Sequence, residues 1–330
     1  MNCKKNNLCY NVRMFRMFLS LLFATIVFAA VADTPSLVLE GEQAFNASRV
    51  VCSGISDEIA KISNMSKANT AVSAAGTAMA GGALAAGIKK SKIESEIDLL
   101  IKDICKNGGC TPDGVSAMSN EDFFEKVIEP MSRIAELQQK IAESKKAGNW
   151  RTGLMAGTIG TNLASAIISG LNINQTELQQ HITACNESIK IATDVEFKLK
   201  KAGINPIENP VLKKLDDLKN RCTQIDVSDI EKIEKRMKGV LGTSVAGTVF
   251  GVVGTGASAA ANSDKYMDIT NKVGLSDEEK KKEKNLNLTA NVMAGANVAT
   301  GVVETGLNIS LIILTKKLIT NAERCEKVFE

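Results

Sequence analysis

GTSVAGTVFGVVGTGASAAA, residues 242–261, carries no charge over a helical length that crosses a bilayer, yet consists largely of Gly, Ala, Ser, Thr and Val. Such a stretch is either a transmembrane span or the closely packed seam of a helical bundle. Three further Gly/Ala zones centre near residues 81, 161 and 300, against 247 for this one. Glycine inside a helix costs about 1 kcal/mol relative to alanine, so repeated glycines imply a return in the form of close helix approach. Gly153-x-x-x-Gly157 and Gly247-x-x-x-Gly251 carry the small-xxx-small spacing that lets backbones meet. Gly76, Gly157, Gly247, Gly251 and Gly295 are therefore the expected seam residues.

The zones repeat in order. A shift of 171 residues places Ile59, Lys61, Ile62, Lys67, Ser73, Ala75, Gly76 and Thr77 on identical residues at 230, 232, 233, 238, 244, 246, 247 and 248. Met155-Ala156-Gly157 matches Met293-Ala294-Gly295, and Gly170-Leu171-Asn172-Ile173 matches Gly306-Leu307-Asn308-Ile309 after a two-residue gap. Each half reads as helix, zone, turn, zone, helix, which points to an internal duplication. Strand alternation is absent, and stretches such as 93–101 place apolar residues at helical spacing. The expected fold is all-α: an elongated antiparallel four-helix bundle built from a duplicated hairpin, with repeats at 33–203 and 204–330. Breaks are expected at 106–118, 204–210 and 262–275, helix starts at Ser119 and Ser276, and kinks at Pro130 and Gly148.

Residues 1–32 read as a signal peptide. Lys4, Lys5, Arg13 and Arg16 precede an apolar run from Phe18 to Val31, and Ala30-Val31-Ala32 fits cleavage between Ala32 and Asp33. The whole chain has 40 basic and 37 acidic residues; without the four basic residues of the leader the balance is 36 to 37. That near-neutral charge removes the electrostatic case for nucleic acid as a partner.

An exported chain with six cysteines beyond its leader is best read as disulfide-bonded. Cys52, Cys185, Cys222 and Cys325 lie 29, 24, 25 and 25 residues from their zone centres, so an up-down-up-down arrangement brings all four to one end. Cys52–Cys185 with Cys222–Cys325 is one pairing; Cys185–Cys222 with Cys52–Cys325 is the other. Cys105 and Cys110 bracket Lys-Asn-Gly-Gly and are expected to pair locally. With one histidine in the chain, a C-x4-C spacing does not make a zinc site, and no metal or cofactor is expected.

No catalytic constellation emerges. Residues 82–91 imitate a phosphate loop only loosely, His181 lacks a neighbouring Ser or Asp for a nucleophile relay, and paired acids such as Asp216-Asp217 fit capping and solvation. Trp150 suits packing or an interface anchor.

The charge-free runs 152–176, 239–263 and 285–303 are long enough to span a membrane. Frequent Ser, Thr and Asn, the lack of an aromatic belt, and Glu304 inside the fourth zone speak against it. In composition the four zones resemble pore-forming helical toxins and some secreted effectors, which implies a soluble form that later exposes Gly-rich hairpins to a bilayer. The expectation is an exported, periplasmic or extracellular, non-enzymatic interaction or structural protein with a protein partner or self-association. The alternative is a membrane-inserting protein, either a multi-span bundle or a pore former.

Overall fold

The computed structural model describes residues 34–106, 129–171, 175–222 and 226–330. Among the described residues every element is helical: α1 (Thr34–Cys52), α2 (Ile55–Lys106), α3 (Glu129–Leu171), α4 (Thr176–Lys201), α5 (Pro210–Cys222), α6 (Val227–Ala261), the short α7 (Asp264–Met267) and α8 (Ile269–Val273), and α9 (Asp277–Glu326). The chain is an all-α bundle. The leader expected at 1–32, its expected cleavage between Ala32 and Asp33, the helix start expected at Ser119 and the expected partner Cys110 lie outside the described residues, as does the side chain of Cys105.

Local signals account for the helix ends. α4 closes on Gly203, whose φ of +80° is the left-handed conformation that glycine adopts most cheaply. There the Ile204 N–H donates to the Leu199 carbonyl at 3.2 Å and the Gly203 N–H to that of Lys200 at 3.1 Å, the double bond of a Schellman turn. α5 opens on Pro210 behind Asn209, whose Oδ1 accepts the Val211 and Leu212 N–H groups at 2.9 and 3.2 Å. α9 opens on a reciprocal capping box: Glu279 N–H donates to Ser276 Oγ at 3.3 Å, and Ser276 N–H to Glu279 Oε2 at 3.1 Å. The breaks at 204–210 and 262–275 fall where expected, the second holding α7 and α8. α3 runs unbroken through Gly148, where the sequence suggested a kink. The glycine is needed there because a Cβ would collide with the Asn262 amide.

The residues group into two compact units, each drawing on both halves of the chain. Among the described residues, unit 1 takes 34–65, 175–222, 226–235 and 311–330. Its core is conventionally apolar: Ile55, Ile59, Ile182, Leu199, Leu212, Leu215, Leu218, Ile230 and Ile233 are all at most 1% exposed. α5 supplies Val211, Leu212, Leu215, Leu218 and Cys222 from one face. Gly41 admits Val211, whose Cγ1 would sit 2.9 Å from a Cβ there. Two buried disulfides close the unit, Cys52–Cys185 and Cys222–Cys325, with Cα–Cα separations of 4.9 and 4.6 Å. The Cys325 sulfur lies within 4.8 Å of both sulfurs of the first bond. That adjacency is why both pairings satisfied the sequence.

Among the described residues, unit 2 takes 66–106, 129–171 and 236–310. Buried positions in it recur at alternating steps of three and four: 66, 69, 73, 76, 80, 83, 87 and 90 on α2; 151, 155, 158, 162, 165 and 169 on α3; 240, 244, 247, 251 and 254 on α6; and 283, 287, 290, 294, 297, 301, 304 and 308 on α9. A 3.5-residue period is that of a coiled-coil seam, which imposes a left-handed supercoil. Towards Ile104 the seam is aliphatic, with Ile93, Ile97, Ile101, Ile104, Leu137 and Ile141 packed together.

Candidate functional site

Over most of unit 2 the seam is polar or small, and the chemistry of the bundle is concentrated there. One level holds Asn69, Ser169 and Asn308, with Asn69 Nδ2 donating to Ser169 Oγ at 2.9 Å and to Asn308 Oδ1 at 3.4 Å. Asn69 Oδ1 and Asn308 Nδ2 have no hydrogen-bond partner. The next level holds Glu304, 1% exposed, and the hydroxyls of Ser73, Ser165 and Ser244, of which Ser165 donates to the carboxylate and Ser244 to Ser165 Oγ at 3.0 Å. These arrive from α2, α3 and α6, one from each of the other long helices. Above them the amides of Asn162 and Asn297 meet at 3.2 Å.

A dry layer of Ala83, Met155 and Ala294, each unexposed, separates this group from a second polar cluster. Arg151, also unexposed, donates through Nε to Ser258 Oγ at 2.8 Å, through Nη1 to Asn291 Oδ1 at 3.2 Å and through Nη2 to Asn287 Oδ1 at 2.8 Å. Asn287 Nδ2 passes the network on to Glu94 Oε2 at 2.6 Å. Lys90 Nζ donates to the Ala261 carbonyl at 2.9 Å and lies 3.4 Å from Glu94 Oε1. Buried charges are tolerated only when paired or multiply hydrogen-bonded, and both cations here meet that condition.

Glycines make these levels fit. A Cβ on Gly76 would lie 2.5 Å from Thr161 Oγ1, one on Gly157 2.6 Å from the Met79 sulfur, one on Gly247 2.5 Å from Asn162 Nδ2 and one on Gly251 2.7 Å from Ile159 Cγ1. Gly295 differs: a Cβ there meets nothing within 4 Å. The same test finds Met155 filling the space at Gly254 and Thr77 that at Gly301.

The outside of unit 2 is the inverse of its inside. Every well-exposed residue at 71–88, 151–171, 239–261 and 286–315 is Gly, Ala, Val, Leu or Ile. Ile167 is 60% exposed, Val249 53% and Val302 58%. Half-buried threonines turn their hydroxyls onto their own helices, as Thr77 to the Ser73 carbonyl at 2.9 Å, Thr248 to that of Ser244 at 2.9 Å and Thr305 to that of Gly301 at 2.8 Å. Exposed charge returns at the borders, with Lys67, Lys89, Lys238, Lys284 and Lys316. Trp150, 61% exposed, stands at one such border beside Asn149 and Lys146.

Comparison with known families, curated proteins and solved structures finds no match to this chain. Function therefore rests on the geometry.

Other sequence candidates fall into structural places. The loop-like residues 82–91 lie inside α2. His181 Nδ1 sits 3.3 Å from Glu58 Oε2 in unit 1. Asp216 pairs with Lys200 at 2.8 Å on the surface. What the residue-by-residue search missed is the Ser73, Ser165, Ser244 and Glu304 group and the Arg151 cluster, because their members lie on four different helices. The available signal was the three-four spacing of Asn, Ser and Glu along each Gly/Ala zone.

Proposed function

We propose that unit 2 is a membrane-spanning four-helix bundle and that the chain is an exported helical membrane protein, stapled by disulfides in unit 1. The observation that carries this reading is the inversion of polarity, since a continuous apolar exterior around a hydrogen-bonded polar interior is the arrangement that lipid, not water, favours. Exposed apolar patches on soluble monomers rarely extend beyond a few hundred Å². Four stretches, Pro35–Ile104, Arg133–Lys201, Pro210–Ala261 and Asp277–Glu326, each contain an 18-residue window with mean hydropathy between 1.4 and 1.6 and at most two charged residues. In lipid every backbone and hydroxyl group needs an internal partner, and the threonine-to-carbonyl bonds supply one.

The features that favoured a soluble bundle from sequence lose their weight here. Asn162, Ser165, Ser244, Ser258, Asn297 and Glu304, among the side chains that argued against lipid, are buried. The agreement of the 171-residue shift with position supports an internal duplication: Ser73 contacts Thr305 and Ser244 contacts Ser165 beside Glu304, and Gly76 and Gly247 both admit a residue of α3.

The test is a lysine placed on the outer face of the full-length chain. In lipid, Val249→Lys costs about 2.5–3.5 kcal/mol at a helix centre, whereas an exposed surface substitution on a soluble protein stays within about 0.5 kcal/mol. The wild type is expected to resist carbonate extraction, and V249K and I167K to lose accumulation in the membrane. A wild type released by carbonate, with lysine variants of unchanged stability, rules the reading out.

A further inference from the structure

We propose that Glu304 and the hydroxyls around it form a binding site for one small monovalent cation, sodium. The inference rests on the membrane reading, because a carboxylate inside a lipid-embedded bundle has no water at hand to supply its counter-ion.

Glu304 is 1% exposed, and among the described residues no basic side chain forms an ion pair with it. Its hydrogen-bond partner among the described residues is a hydroxyl oxygen. Ser165 Oγ touches the carboxylate, and Ser244 Oγ lies 3.0 Å from Ser165 Oγ. Ser73 Oγ lies 2.9 Å from Oγ1 of Thr305, the residue after Glu304, and donates to the Gly301 carbonyl at 3.3 Å. The Val240 carbonyl accepts Ser244 Oγ at 2.8 Å. One carboxylate, four hydroxyls and two carbonyls are thus linked by these contacts across all four long helices.

Three properties of this group select its occupant. The donor set is all oxygen, without the nitrogen or sulfur that transition metals prefer. Its formal charge is a single negative one, which one monovalent cation cancels and a divalent cation would over-compensate. Several of its oxygens approach one another to about 3 Å, which favours a small ion over a large one. Hydroxyls can both donate to an ionised carboxylate and turn a lone pair to a cation, so the same side chains serve the empty and the filled site. Intramembrane ionisable residues are rare and serve function when they occur. Here the carboxylate belongs to a network of contacts that links all four long helices.

The experiment measures thermal unfolding of the full-length protein purified in detergent, with sodium, potassium or choline chloride at constant ionic strength and at pH 8. Sodium is expected to raise the midpoint saturably by several degrees, potassium less and choline not at all. Glu304→Gln is expected to abolish the sodium effect. Ser244→Ala keeps the carboxylate and should shift the sodium dependence to about tenfold higher concentration; it serves as the readout if E304Q does not fold. No sodium-specific shift, or a shift that persists in E304Q or is unchanged in S244A, overturns the proposal. A midpoint that rises on acidification to the same extent with and without sodium makes the proton the occupant and overturns it as well. Failure of the membrane reading would show separately, in carbonate extraction and in the indifference of V249K.

Discussion

At the scale of the residue, the glycines separate into those that hold the bundle together and those that do not. Gly251 and Gly295 are both helical and both in Gly/Ala zones, so propensity alone assigns them the same effect: replacement by alanine removes about 1 kcal/mol of helix penalty. The neighbours differ. A Cβ on Gly251 lies 2.7 Å from Ile159 Cγ1 and 3.4 Å from Thr158 Oγ1, whereas one on Gly295 has open space. Gly295→Ala is expected to stabilise the protein by up to about 1 kcal/mol. Gly251→Leu adds overpacking that typically costs about 1–3 kcal/mol and should lower the midpoint in the same detergent assay. Equal effects of G295A and G251L would mean that helix approach is not what the glycines provide. The sequence sets Gly251 apart only by its Gly247-x-x-x-Gly251 spacing, and composition treats the two alike; the partner helix decides.

At the scale of the element, the all-helical character, the breaks at 204–210 and 262–275 and the start of α9 were legible because each rests on local chemistry. Pro210, Gly203 and the Ser276–Glu279 box act within a few residues of themselves. The facing of the helices was not legible for a related reason. The stripe of Thr158, Asn162 and Ser165 has helical spacing, but as composition its polar residues count against lipid wherever they point, and only the neighbouring helices show that they face inward. The cysteines were legible over long range because a disulfide demands a common level. The four-helix network around Glu304 has no such covalent rule behind it.

The α9 start also gives a pH dependence outside the spans. The Lys265 ammonium, with the Ser276 N–H and hydroxyl, holds the Glu279 carboxyl down at about 2. Its folded pKa is below its unfolded one, so its contribution is present above about pH 4.5 and is lost as pH falls towards 2. Amide exchange in the first turn of α9 is expected to accelerate over that window in the wild type. Glu279→Gln, which cannot ionise, should show no such titration. The same acceleration in E279Q would assign it to another group.

At the scale of the whole molecule, the membrane reading fixes the side on which each cysteine lies by counting crossings. Between Cys52 and Cys185 the chain passes two of the proposed spans, 71–88 and 151–171; between Cys222 and Cys325 it passes two more, 239–261 and 286–315. An even count returns each partner to the side it left, as the two disulfides require. Cys105 and Cys110 follow a single crossing and so belong to the opposite face. If unit 1 faces the oxidising compartment, where its disulfides form, then Cys105 and Cys110 face the reducing one and are thiols, contrary to the local pairing that their spacing suggests. A membrane-impermeant maleimide applied to intact cells is expected to leave both unlabelled, and to label both once the membrane is permeabilised. The other four should require a reductant first. Recovery of a Cys105–Cys110 disulfide from cells lysed in excess alkylating agent would place all six cysteines on one side. Spans cannot number one between residues 52 and 105 in that case, and the zone around residue 81 would have to be a seam in water.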